Sequence, residues 1–470
     1  MAPRILPGRS THSAADNNEN LRPEVGNRKG DFLTVNKATN SRDGKTGLFW
    51  GWYVVTGALL ILAVNYGARY SFGVFVKPMV TEYHWSRTVI SAGMSIMVLA
   101  YGIGGIFAGR IVDRIAPRWI ITTGASLLAA GLFLTALVRE PWQFYMTYGI
   151  FGGLGSACMG VVVCSSSVGK WFARQRGLAL GIASIGIGIG TMAMVPLAGY
   201  IVTVHDWQTG FACIGVLVLI IGAGLSQWLM GKTKPEDYGL RPDGENREEK
   251  GLRSNSTAFG VRHENPSIRP VIGNSQFWMI VLCYSLAVMA EMSVMVHQVP
   301  YALDRQIDKI AAASSLGIIG MTSTLGRFFF GWLCDRIGDA KYAAALGFFL
   351  MAVGMFLLLK TTSVTTLFVY ACMFGFGYGS MSALMPYLLA DRFGHHVLGT
   401  SYGMLIFFAT GIGGACGPMI AGYIYDLSGS YTNAWLLNLA VLVIVTFLIL
   451  SLKKPDDHPR IPSIRESSGV

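Results

Sequence analysis

The stretch AAASSLGIIGMTSTLGRFFFGWL, residues 311–333, is uncharged and largely apolar except for Arg327. At 1.5 Å per residue it is long enough to cross a bilayer. A guanidinium does not readily shed its proton, and a lone arginine at mid-membrane costs at least about 2.5–3.5 kcal/mol. Arg327 is therefore expected to face a polar cavity and to meet an anion there. A small carboxylate held inside a membrane is the ligand this pattern points to.

The end of the same stretch is duplicated. Gly331-Trp332-Leu333-Cys334-Asp335-Arg336 matches Gly109-Arg110-Ile111-Val112-Asp113-Arg114 in a G-x-x-x-D-R pattern. Parallel repeats of this kind place a substrate site near the midplane, between the two halves. The Asp-Arg loops (Asp113, Arg114, Asp335, Arg336) are expected to fasten neighbouring helices. In this register the position of Arg327 corresponds to Gly105. Since one half is built with glycine there, Arg327 is a specialisation of the other half, which favours function over scaffolding.

Composition agrees. The 470 residues are 52% hydrophobic and only 13% charged, about half the charge of a soluble domain. Apolar stretches of spanning length fall at 50–76, 88–110, 118–138, 142–168, 177–203 and 209–231, then at 277–303, 311–333, 340–360, 364–390, 398–425 and 432–452. The expected organisation is a disordered cytoplasmic tail at 1–46, a six-helix bundle at 47–231, a cytoplasmic linker at 232–275, a second six-helix bundle at 276–453 and a cytoplasmic tail at 454–470. The tail at 1–46 is polar and holds no apolar core of signal-peptide length. The fold class is thus an all-α membrane protein of twelve transmembrane helices in two pseudo-symmetric bundles.

Arg110, Arg114 and Arg118 follow span two, and Lys170, Arg174 and Arg176 follow span four. Lys/Arg excess puts these loops and both termini in the cytoplasm of a cell membrane. Lys77, Arg87, Arg305 and Lys309 on the opposite side temper the bias. The net charge of +11 is read as cytoplasmic loop charge rather than a nucleic-acid surface. The seven cysteines show no CxxC spacing and are expected to pack as small apolar groups, with no disulfide or metal role.

The duplicated Asp-Arg loop resembles the signature of the major facilitator superfamily, over about 50–452. Two stretches resemble the monocarboxylate transporters and their oxalate/formate antiporter relatives: Trp50-Gly51-Trp52 at the start of span one, and GKWFARQRGLALG, residues 169–181, entering span five. Phe374-Gly375-Phe376-Gly377-Tyr378-Gly379 is similar to the span-ten stretch of that group. The resemblance implies that Arg327 is the substrate arginine. Three departures follow from the same comparison. Tyr70, with Arg69 beside it, stands where the mammalian transporters carry a span-one lysine. Ser323 stands where they carry an aspartate one turn before the arginine. Ala409 and Thr410 lie where oxalate exchangers carry a second cation.

Glu291 is the only acid in mid-span seven, and a carboxylate held out of water can take up and release a proton during transport; it either couples or merely packs. His297 lies two turns on and either lines the path or is a satisfied helix-end histidine. Arg69, about twenty residues into span one, is expected near the outer surface, reaching to headgroups or drawing anions into a vestibule. Tyr378, Tyr148, Tyr66 and Asn65 either offer polar contacts or pack. Gly177, Gly181, Gly186 and Gly190 form two G-x-x-x-G steps expected to be helix-contact surfaces. No phosphate loop, metal-ligand cluster or nucleophile–base arrangement is present in the sequence, which argues against an enzyme, a pump or a cofactor. The expectation is proton-coupled carriage of a small monocarboxylate, with lipid as the surrounding partner. An oxalate/formate-type exchanger using Arg69 as second cation, and a carboxylate receptor that does not transport, are the rival readings.

Overall fold

The computed structural model describes residues 49–112, 115–172, 175–231, 235, 269–337, 339–393 and 398–453. The expected tails, most of the linker and the Asp113–Arg114 pair lie outside these residues. Spans one to six are Trp50–Tyr83, Arg87–Ile111, Pro117–Thr135, Pro141–Gly169, Leu178–Val204 and Trp207–Leu229. Spans seven to twelve are Ser275–Asp304, Lys309–Ile337, Ala340–Leu359, Val364–Phe393, Ser401–Ser428 and Thr432–Leu450. No strand occurs among the described residues.

Local chemistry fixes the helix starts. Proline occupies the first position of spans three and four, where its missing N–H costs nothing. Ser86, Asp206 and Asn274 cap spans two, six and seven by accepting from the backbone N–H groups of Val89, Thr209 and Gln276. Among the described residues, eleven helices are long and apolar enough to cross a membrane. Span eight is the exception by composition, not length: its 29 residues include Ser314, Ser315, Thr322, Ser323, Thr324 and Arg327.

Packing repeats the sequence duplication. Span one packs on five as seven packs on eleven; two packs on four as eight on ten; three packs on six as nine on twelve. The seam between the bundles obeys the same symmetry, because the contact of span two with eleven is the mate of eight with five. Large apolar side chains such as Phe107, Trp228, Phe328, Trp332 and Phe447 point outward, as a lipid-facing surface requires.

Span one is longer than its hydropathy suggests. Helix Trp50–Tyr70 continues as Phe72–Tyr83 through Ser71, whose Oγ donates to the Gly67 carbonyl at 2.7 Å. Serine back-bonding of this kind bends a helix without ending it.

Glycines mark where backbones touch. Gly186 and Gly190 lie directly on the backbone of Leu59 and Ala63 in span one, so this step fastens helices within one bundle. Gly188, on another face, meets Gly320 and Thr324 across the seam. In contrast, Gly105, Gly331 and Gly403, towards the ends that carry the Asp-Arg loops, have open space around the position of a Cβ. Gly190→Ala should therefore lower the thermal midpoint of the detergent-purified protein, by an overpacking cost of about 1–3 kcal/mol. Gly105→Ala should leave that midpoint unchanged in the same assay.

Candidate functional site

Span eight delivers Arg327 to the seam at mid-helix. The side chain is half-buried, its Nη1 donates to the Ser184 carbonyl of span five at 3.1 Å, and its Nε has no hydrogen-bond partner among the described residues. One guanidinium face is thus anchored across the seam while another donor is left over.

Arg69 comes to the same seam from the other bundle. The sequence reading put it near the outer surface, and the structure corrects this: it is 2% exposed. The cause is the continuation of span one to Tyr83, which leaves Arg69 well inside the helix. Its Cζ lies 4.9 Å from the Tyr101 ring centroid, 5.8 Å from Tyr70 and 5.9 Å from Tyr66. Such contacts are worth about 2 kcal/mol or more for a desolvated cation. Its Nη2 reaches only a weak acceptor, the Met292 Sδ of span seven, at 3.7 Å, and its Nε is unpartnered among the described residues.

Glu291, on span seven, is 3% exposed. Its carboxyl is within electrostatic reach of Arg69 and Arg327, and the hydroxyls of Tyr70 and Tyr378 lie beside it. These two hydroxyls are 3.2 Å from each other across the seam. The Glu291 Oε1 accepts no hydrogen bond from the described residues. Among the described residues, two permanent cations, one carboxyl and several phenols therefore cluster at the seam, with hydrogen-bonding capacity to spare. That arrangement can bind and desolvate an anion.

The other sequence candidates divide. Tyr378 and Tyr66 belong to the cluster; the Tyr66 hydroxyl is 3.1 Å from that of Tyr101. Tyr148 stacks on Phe72 and Phe144 with centroids 4.8 and 5.4 Å away, points its hydroxyl at the Met94 sulfur, and remains within electrostatic reach of Arg69. Asn65 is committed elsewhere: it donates to the Ser156 carbonyl at 3.1 Å and accepts from the Ser156 Oγ at 2.6 Å, which ties span one to span four. Ser323 donates back to the Gly320 carbonyl at 2.8 Å. Arg336 is exposed and stacks on Trp332 at 5.0 Å; the side chain of Asp335, like the whole of Asp113 and Arg114, lies outside what is described.

His297 proves to be part of a second construction, a lock between the bundles at the end away from the Asp-Arg loops. Its Nε2 donates to the Pro418 carbonyl at 2.9 Å and its Nδ1 lies 2.8 Å from the Tyr431 hydroxyl. A carbonyl can only accept, so Nε2 carries a proton. The Ser91 Oγ of span two lies 3.0 Å from Nε2. Beside it, Asp304 of span seven accepts from Lys77 at 3.1 Å and Arg87 at 2.9 Å. Arg87 lies over the Tyr425 ring at 3.6 Å. Asp426 of span eleven takes the backbone N–H groups of Arg87 and Thr88 at 3.0 and 2.8 Å, a carboxylate from one bundle at the helix N-terminus of the other. Sequence reading missed Asp304, Asp426 and Tyr101, noticed Tyr70 only in place of a lysine, and counted Arg87 only as charge on the outer side. Their common signal is a polar or charged group at or within an apolar span.

Two helical bundles with matching internal packing and a polar cluster at their seam have the arrangement of a secondary transporter. Residues 58–410 match the Major Facilitator Superfamily, and the chain belongs to that superfamily. Its members are transporters, not enzymes. The chain is similar to Monocarboxylate transporter 12 of Homo sapiens, with 26% identity covering 86% of this chain and 80% of that protein. It is also similar to Monocarboxylate transporter 13 of Rattus norvegicus, with 25% identity covering 86% and 89%. In fold it resembles the crystal structure of the nucleoside transporter NupG, with TM-score 0.66 at 13% identity, covering 85% of this chain and 99% of that one.

If the Asp304 cluster holds that end shut, Asp304→Asn should loosen it. Spin labels at Thr81→Cys and Arg305→Cys, read by double electron–electron resonance, should show a longer-distance population in the variant that the parent pair lacks.

Proposed function

We propose that this transporter carries a small monocarboxylate of the lactate or pyruvate kind by alternating access, with a proton. The observation that supports this best is the Arg327 guanidinium, anchored by one donor to the Ser184 carbonyl and left with an unpartnered Nε inside the cluster. A planar fork with free donors at low dielectric suits the two oxygens of a carboxylate. Tyr378 offers the neighbouring hydroxyl. The names of the relatives point to the same substrate class.

Loop charge supports a cell membrane with both termini cytoplasmic. On that orientation the lock of His297, Arg87, Asp304 and Asp426 is an outer gate, and the space around Gly105, Gly331 and Gly403 is the cytoplasmic approach. The state described is then inward-facing, and release of the lock would precede loading from outside. Two of the outer cations that tempered the charge bias, Lys77 and Arg87, are the ones paired with Asp304.

Proton coupling falls to Glu291, because Ser323 leaves Arg327 without the acid one turn away. A substrate anion on Arg327 removes positive charge from the surroundings of Glu291 and so favours its protonation, linking the two loads in one step. An exchanger of the oxalate/formate kind is the second reading, and the burial of Arg69 favours it more than the sequence did.

Uptake of labelled pyruvate into proteoliposomes tests the reading. Arg327→Ala should reduce it to the protein-free background while the protein stays folded, and Arg327→Lys should lose about tenfold or more, since a point charge does not reproduce bidentate pairing. Near-normal uptake by the alanine variant would remove Arg327 from the site. Glu291→Gln should abolish accumulation under an inward proton gradient while counterflow of pyruvate stays measurable; accumulation by this variant would place coupling elsewhere.

A further inference from the structure

The buried cluster has an odd charge count. Arg69 and Arg327 are both permanently cationic, they come from different bundles, and the acid within electrostatic reach of both is Glu291. The remaining titratable groups around them are phenols: Tyr66 and Tyr70 from span one, Tyr101 from span two, Tyr148 from span four and Tyr378 from span ten. Tyr402 of span eleven lies behind Tyr101. With Glu291 ionised, the site carries one net positive charge. Neutralising Glu291 raises that to two.

We propose that Glu291 is the specificity-determining residue for substrate charge: ionised while the empty site receives its substrate, and protonated only once the substrate is seated, its carboxylate offsets one of the two guanidinium charges, so that a single substrate carboxylate is balanced on entry. The inference rests on the carboxylate reading above and adds a role to it. An unbalanced charge at low dielectric is expensive, so a site with one spare positive charge should admit a monoanion and reject a dianion. Geometry agrees. Arg69 is held by aromatic faces and a thioether, contacts that stabilise a cation without consuming its donors. Its unpartnered Nε and the unpartnered Glu291 Oε1 are the groups that a second substrate carboxylate would satisfy and displace, respectively. The site is thus built on the plan of a dianion site and restrained by an internal anion.

The test is exchange of labelled pyruvate and labelled malonate in proteoliposomes with four forms of the full chain: the parent, Glu291→Gln, Arg69→Gln and the double variant. Their net site charges are plus one, plus two, zero and plus one. The parent should prefer pyruvate. Glu291→Gln should raise the malonate-to-pyruvate ratio by about tenfold or more. Arg69→Gln should lose pyruvate exchange by a similar factor, and the double variant should recover both pyruvate exchange and the parent's preference. An unchanged ratio in Glu291→Gln overturns the proposal. If that variant does not fold, the other pair decides: failure of the double variant to rescue Arg69→Gln overturns it equally. A parent that exchanges neither acid overturns the carboxylate reading itself, a result distinct from pyruvate exchange with an unaltered ratio.

Discussion

A guanidinium buried in a membrane protein keeps its charge, and everything at the centre of this molecule answers to that constraint. Arg327 and Arg69 stand at the seam from opposite bundles. Each is only partly satisfied by the protein: Arg327 by one carbonyl of span five, Arg69 by aromatic rings and a sulfur. Full backbone pairing would have made them structural. Their incomplete pairing keeps the site receptive, and its cost is met by the packing of two bundles whose helices otherwise bury apolar surface.

The seam therefore carries two kinds of polarity. At its middle, hydrogen bonds are few and donors are spare. At the end near Asp304 the charges meet partners of opposite sign across the seam: Asp304 two cations, Asp426 a helix N-terminus, while Arg87 lies over the Tyr425 and Tyr431 rings with Nε and Nη1 left unpartnered among the described residues. A histidine with both ring nitrogens engaged and carboxylates paired across the seam suit a contact that holds without binding a ligand. The small residues between these zones, Gly188 against Gly320 and Gly73 against the carbonyls of Met295 and Val296, let the backbones approach closely enough for the lock to form.

Most of the fold was legible because it depends on local composition and on a duplication. Spans of apolar residues mark themselves, and the repeated G-x-x-x-D-R fixes the register that the helix pairings then follow. Arg327, Glu291 and Tyr378 were legible for the same reason, as polar groups in apolar runs. Arg69 was misplaced because hydropathy falls after Val76, while the helix continues through Ser71 and Pro78 to Tyr83. Depth was judged from the visible apolar run, not from the whole helix. Asn65 was left between a polar contact and packing because its partner, Ser156, is 91 residues away; the lock was missed because Arg87 finds Asp304 and Asp426 at separations above 200. Such pairings exist only once the bundles are docked.

The asymmetry of the repeat has a physical meaning at the seam. Gly105 occupies in the first half the place of Arg327 in the second, and it faces open space. Had both halves kept an arginine there, two cations would have entered by symmetric routes. Instead the first bundle supplies its cation from span one, on a helix that the Ser71 bend carries on to the closed end, where Lys77 meets Asp304. Arg69 and Lys77 thus sit on one continuous helix, joining the interior charge to the lock through eight residues of backbone. A movement of span one that opens the lock must also displace Arg69 relative to Glu291 and Met292 on span seven. In the proposed transport cycle, binding in the cluster and closure at its far end would be coupled through this one helix.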